Sequence, residues 1–226
     1  MLGDVLLITD KHRQAAEQLV AALLPLRKPR MVLAISGESG SGKSELAHCI
    51  GKLLVKAHGI PAKIIHSDNY YKVHPHERTQ WRTEHGFDAV GMSELDWERL
   101  NANVNAFRKG EIAEMPCIDI VPDEPDTLIT DFSKIDFLII DGLYALNTQG
   151  VDVGVFITLT YHETKKAQAD RGKEPVNEFR WKVLEREHLE VQSLKGKADI
   201  LIDNNYSLSF LKNKSKLSEY SVLQRQ

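Results

Sequence analysis

Cysteine is scarce in this chain: Cys49 and Cys117 are the only two in 226 residues. So few thiols, so far apart, make neither a disulfide framework nor a zinc-ligand spacing. Long apolar runs are missing too. Nothing approaches the roughly 18 residues that a membrane-spanning helix needs, which predicts no membrane partner. Neither sign of charge prevails, with 29 Lys and Arg against 32 Asp and Glu and a formal net charge of −3. That balance argues against broad nucleic-acid binding, although a local basic patch can still hold an anion. Repeats, low-complexity tracts and linkers are absent, so one domain is expected over 1–226. Within it, residues 1–30 read as an N-terminal helical extension and 207–226 as a loosely packed C-terminal one. Asp4 stands where a signal peptide carries bases, and polar sequence soon follows, so the expected compartment is the cytoplasm. A hydrophobic share of 42% and a charged share of 27% are those of an ordinary globular chain, which excludes disorder but names no activity.

What is present is an alternation of strands and helices. Ala15, Leu19, Leu23 and Leu24 lie at helical spacing over 11–27, with Asp10 as a candidate N-cap and Pro29 as the stop. Short runs at 31–36, 62–66, 135–140, 153–159 and 198–202 read as strands, the first with the near-continuous apolar pattern of burial on both faces. Helical patterns occupy 43–57, 93–108 and 177–194. This order predicts an α/β fold, a doubly wound parallel sheet of about five strands with helices on both faces. The polar stretch 69–92 has no clean periodicity and reads as a long functional loop. Its His74, His76 and His85 match no zinc spacing and read as acceptor contacts or surface residues.

One motif carries chemistry by itself. Gly37-Glu38-Ser39-Gly40-Ser41-Gly42-Lys43-Ser44 fits G-x-x-x-x-G-K-[ST] at every fixed position, between an apolar strand and a helix. Its glycines let backbone N–H groups turn inward on phosphate oxygens, and the helix adds its positive end. Lys43 is expected to bridge the terminal phosphates and the Ser44 hydroxyl to ligate Mg²⁺. These eight residues predict nucleoside-triphosphate binding. No N-K-x-D segment is present to read a guanine, which leaves a small-molecule kinase as the expectation.

Two acids stand at strand ends. Asp68 follows the second strand, where an open parallel sheet presents its ligand crevice. There it is either the base that takes the proton of an attacking hydroxyl or a turn-capping aspartate. Asp141 closes the strand that begins at 135, either as a second Mg²⁺ ligand beside Ser44 or as an ordinary strand-end acid.

In this order these residues resemble the uridine kinase and phosphoribulokinase family of P-loop kinases, over residues 31–203. The likeness starts at Ile35–Ser44 and continues with Ser67-Asp68-Asn69-Tyr70-Tyr71, similar to the family's S-x-D-x-F/Y-Y. Gly86-Phe87-Asp88 with Leu95-Asp96-Trp97, then Pro116–Asp119, Leu138–Leu146, Arg171-Gly172 and Ala198–Ile202 complete it. The resemblance implies Asp68 as the catalytic base, Asp88 as a ligand of the acceptor's sugar hydroxyls, and Tyr71 as a wall of the acceptor pocket. It places Lys165, Lys166, Arg171 and Lys173 in a basic lid, with Lys43 and Arg171 catalytic and Lys166 on the substrate. The plain alternatives are a solvated helix face for the lid cations and a loop acid for Asp88.

Departures accompany the likeness. The Tyr and downstream His by which uridine-specific members read the pyrimidine fall on Ile118 and near Asp123, and the lid is short and rich in Lys. The expected function is ATP- and Mg²⁺-dependent phosphoryl transfer to a small-molecule hydroxyl, first of all a nucleoside. A sugar, sugar phosphate, glycerate or pantothenate-like acceptor stays open, as does a nucleotide-binding regulatory protein without transfer. ATP and Mg²⁺ are the expected cofactors. The expected partners are the acceptor alone, without nucleic acid or membrane, and a homo-oligomer stays open.

Overall fold

β1 (Met31–Gly37) is buried at all seven positions, and the fold is arranged around it. The computed structural model describes residue 3 and residues 5–119, 124–165 and 177–211. β2 (Ala62–His66), β5 (Phe137–Asp141), β6 (Val153–Ile157) and β7 (Ile200–Ile202) run parallel to β1, and β8 (Leu208–Phe210) pairs antiparallel with β7. The sheet order is β2-β5-β1-β6-β7-β8. The chain leaves β1 toward β2 on one side and later places β6 on the other, so the strand order reverses at β1, where such sheets open a ligand crevice.

Alternate residues of β1 serve two cores. Met31, Leu33 and Ile35 pack with α1 (Asp10–Leu23) and α2 (Lys43–His58) through Leu19, Leu46 and Ile50. Val32 and Ala34 face α4 (Trp97–Lys109) and α5 (Glu178–Ser193) through Leu100, Val104, Phe107 and Val191. The near-continuous apolar run of the strand is thus the mark of burial on both faces.

The structure differs from the sequence reading in several places. The helix expected within residues 1–30 is α1, and it packs into the core, with Ala15, Ala16, Leu19, Val20 and Leu23 all buried. Thr9 is its N-cap and Asp10 its first residue, and it ends at Leu23, ahead of a 3-10 turn over Leu24–Leu26 that contains Pro25. Proline supplies no amide hydrogen and crowds the preceding turn, which stops the helix before Pro29 is reached. The C-terminal extension is likewise part of the fold at its start, since β8 joins the sheet as a sixth strand; residues 212–226 lie outside the described ones.

The stretch 69–92 is no open loop. It holds α3 (Pro75–His85), flanked by 3-10 turns at Ser67–Tyr70, Phe87–Ala89 and Met92–Glu94. Pro75 starts this helix at a position that needs no N–H, and Gly86 ends it. Only Arg82 of α3 is buried, so no apolar stripe marks the helix in the sequence. Finally, an antiparallel hairpin of β3 (Ile112–Asp119) and β4 (Glu124–Asp131) forms a second sheet. Pro116 and Pro125 sit within its strands, which masks them to a pattern reading.

Candidate active site

The loop between β1 and α2 turns on two glycines with left-handed backbone, Gly40 at φ 75° and Gly42 at φ 88°. Gly42 caps α2, accepting the Leu46 N–H at 3.0 Å, and the Ser41 N–H donates to the Glu38 carbonyl at 3.2 Å. Lys43 Nζ donates to the same carbonyl at 2.8 Å, so its ammonium lies along the loop. Ser41 Oγ is buried with no hydrogen-bond partner in the described chain. An orphaned hydroxyl, an ammonium and a helix N-terminus converging on one loop fit a phosphate chain.

Glu38 belongs to the loop by its backbone alone. Its buried carboxylate takes the Tyr161 N–H at 2.7 Å and faces His188 Nδ1 at 2.7 Å and Gln192 Nε2 at 2.5 Å. The Thr164 hydroxyl donates to the Ser39 carbonyl at 2.7 Å. Both contacts tie the loop to α5 and to the chain at Tyr161–Thr164.

Asp141 closes β5 beside the ends of β1 and β2, in register with Ile35 and His66. Its buried carboxylate lies 2.6 Å from His66 Nδ1 and hydrogen-bonds the Ser44 hydroxyl. Burial by itself pushes this carboxyl up. The His66 ring, the Ser44 hydroxyl and the Lys43 ammonium outweigh burial and hold it below the usual carboxylate range. His66 escaped sequence reasoning, although a polar residue ending the strand beside Asp141 was its signal. A hydroxyl and a carboxylate side by side suit a hard cation that keeps its remaining ligands as water and phosphate oxygen, with His66 orienting the carboxylate. Among the described residues no cluster of three or more His, Cys, Asp or Glu could hold a metal.

Asp68 lies on the 3-10 turn that follows β2, at the same end of the sheet. Tyr71, just beyond, pairs with Leu95 and carries the Arg78 guanidinium 3.7 Å over its ring. Burial first, then the carboxylates of Glu187 and Asp68, push the Tyr71 hydroxyl well up, with Arg78 and Arg82 opposing. Asp68, Tyr71, Glu187 and the two arginines therefore share one electrostatic neighbourhood. Arg82 holds Glu94 through two hydrogen bonds of 2.7 and 2.9 Å and reaches Glu187 at 3.2 Å, all three side chains being buried. Burial works against the Arg82 cation, but the Glu94 hydrogen bond and both carboxylates raise its pKa above the ordinary value.

Other expected site residues are placed less centrally. Asp88 is exposed on the Phe87–Ala89 turn, which Phe87 anchors against Phe179 of α5, and no hydrogen bond joins it to Asp68 or the P-loop. Ile118 is buried, and its N–H donates to Asn69 Oδ1 at 3.4 Å, tying the hairpin to the Asp68 turn. Lys165 lies 4.6 Å over the Trp181 ring. Lys166, Arg171, Lys173 and Asp123 fall outside the described residues. Arg180 was missed: from the first turn of α5 it lies 3.4 Å from Ser39 Oγ and 3.7 Å from Glu187, between the two halves of the site.

A uridine kinase of Mycoplasma genitalium is 31% identical over 113 residues, 50% of this chain and 51% of that one. The chain spans about half the length of the curated relatives it matches. Among solved structures, a possible uridine kinase from Bacillus stearothermophilus superposes with a TM-score of 0.60 at 21% identity, over 84% of this chain and 97% of that one. Phosphoribulokinase from Rhodobacter spheroides superposes at 0.61 with 12% identity, over 87% and 84%. At those identities the likeness is one of fold. The family model for the phosphoribulokinase / uridine kinase family matches residues 32–161, from β1 through the P-loop, Asp68 and Asp141 to Tyr161. The chain belongs to the phosphoribulokinase / uridine kinase family.

Proposed function

We propose that this protein is an ATP- and Mg²⁺-dependent kinase that phosphorylates a hydroxyl of a small molecule, a nucleoside being the first acceptor class. The observation that carries the reading is the convergence at one end of the sheet of Lys43 and Ser44, the Ser44–Asp141–His66 chain, and Asp68 on the adjoining turn. Inward amides of 37–44 would cradle the phosphates, and Lys43 would exchange the Glu38 carbonyl for a phosphate oxygen. Ser44 and Asp141 would hold Mg²⁺, which when bound neutralises charge on the phosphates. Asp68 would accept the proton of the acceptor hydroxyl as the new phosphoester bond forms and the bond between the γ-phosphorus and the bridging oxygen breaks, ADP leaving with that oxygen. Lys166 and Arg171 would close over the transferring group as lid cations, and Tyr71 and Asp88 would flank the acceptor.

One observation favours a second acceptor class. Arg78, stacked on Tyr71 close to Asp68, makes no ion pair among the described residues, and its buried Nε has no partner. A guanidinium kept without a carboxylate suits an acceptor that brings its own anion, such as a sugar phosphate or glycerate. A coupled ADP-release assay over nucleosides, sugars, sugar phosphates, glycerate and pantothenate-like alcohols separates the classes. Turnover with nucleosides supports the first reading and turnover with anionic alcohols alone the second. ATP binding without acceptor-dependent ADP would refute both.

A further inference from the structure

Two elements outside the family match at 32–161, helix α1 and the β7–β8 turn, meet behind the P-loop. The Tyr206 hydroxyl donates to the Ser41 carbonyl at 2.5 Å, and His12 Nε2 lies 2.9 Å from the same hydroxyl. The His12 and Tyr206 rings meet edge to face, 4.5 Å between centroids, and both side chains are buried. The order of donors follows from the far end. The Thr9 N–H, 3.0 Å away, must donate to His12 Nδ1, so the ring proton sits on Nε2 and points at the Tyr206 oxygen. That leaves the tyrosine proton for Ser41. The chain of bonds runs one way: Thr9 to His12 to Tyr206 to the P-loop.

We propose that Tyr206, oriented by His12, is a positioning residue that aims the P-loop amides at the phosphates of the nucleotide. The inference rests on the P-loop reading above and assigns a role to segments that the family match leaves out. The Ser41–Gly42 peptide is trans, so its C=O and N–H point in opposite directions. Holding the Ser41 carbonyl back toward Tyr206 therefore turns the Gly42 N–H forward into the cradle. Space tells the same story. A Cβ on Gly42 would lie 1.8 Å from the Tyr206 oxygen and 2.6 Å from His12 Nε2, so the brace fills the room that a side chain would need. Tyr206 itself has φ 62°, a left-handed conformation that non-glycine residues seldom adopt. The Asp203 carboxylate holds that turn by accepting from the Asn205 and Ser207 amides. Strain of this kind persists where surrounding structure over-determines it, often at ligand clamps.

The test is hydrogen–deuterium exchange of the free full-length protein, with ATP affinity measured in parallel by calorimetry in Mg²⁺. Tyr206→Phe keeps the ring and removes the hydroxyl. It should speed exchange in peptides covering 37–46 several-fold, leave β5 peptides unchanged, and weaken ATP binding about threefold to tenfold, the worth of one buried hydrogen bond. His12→Ala should act in the same direction and less strongly. Val104→Ala, in the opposite core, controls for plain destabilisation: it should lower the melting temperature and leave P-loop exchange as in the parent. Unchanged P-loop exchange in Tyr206→Phe overturns the brace, as does equal acceleration in Val104→Ala. A parent protein that binds no ATP would refute the kinase reading instead, and the exchange result would still decide the brace.

Discussion

The phosphate side and the acceptor side of this site are held by different forces. On the phosphate side, backbone does the positioning: glycine turns, a helix N-terminus and strand ends in fixed register set Lys43, Ser44 and Asp141. On the acceptor side, α3 buries no apolar side chain of its own and is held by the buried Arg82–Glu94–Glu187 group, with Arg78 over Tyr71, while its flanking turns anchor through Tyr70, Phe87 and Met92. Backbone geometry follows from local sequence and tolerates little change. Ion pairs join residues far apart in the chain, Arg82 in α3 and Glu187 in α5, and breaking one leaves a buried charge to compensate.

The comparison can be broken or sharpened by substitution, in decreasing order of expected effect. Asp68→Asn separates the two sides most sharply. Transfer should fall at least 10²- to 10⁴-fold, the contribution of a positioned base, while ATP affinity stays within about twofold; a turnover assay beside calorimetry reads both. Next comes Arg82→Met, which removes the guanidinium that the buried Glu94 and Glu187 share. Breaking such a group costs about 3–5 kcal/mol, so urea unfolding should show a large loss of stability, and acceptor KM should rise more than ATP KM. Lys43→Ala should weaken ATP binding about tenfold to a hundredfold, the range for a hydrogen bond to a charged group, without a comparable loss of stability. Arg78→Ala should have the smallest effect, raising KM several-fold for anionic acceptors and leaving neutral nucleosides nearly unchanged. An equal change for both classes would remove Arg78 from acceptor selection.

The same contrast explains what could be read in the sequence. The P-loop, β1 and the strand that ends at Asp141 were legible, because a strand buried on both faces and a glycine loop have local signatures. Helix α3 was not, since its only buried side chain is a charged one, Arg82, and a polar stretch without periodicity looks like a loop. The hairpin was hidden by Pro116 and Pro125, which count against a strand until the partner strand is known. His66 and Arg180 were missed because their roles come from register and from the approach of α5, neither of which is local. Asp88 carried a family signature, yet the chain leaves it exposed and unconnected to Asp68 by any hydrogen bond. The role of α1 is legible only in three dimensions, where His12 meets Tyr206 across 194 residues of sequence.

The most direct test follows the fate of a labelled γ-phosphate in wild-type protein with Mg²⁺ and the acceptor panel. The label should pass to an organic phosphoester in step with ADP, and only when a hydroxyl acceptor is present. Label that stays in ATP, or appears only as inorganic phosphate with every acceptor, would contradict the account and leave a nucleotide-binding protein that does not transfer.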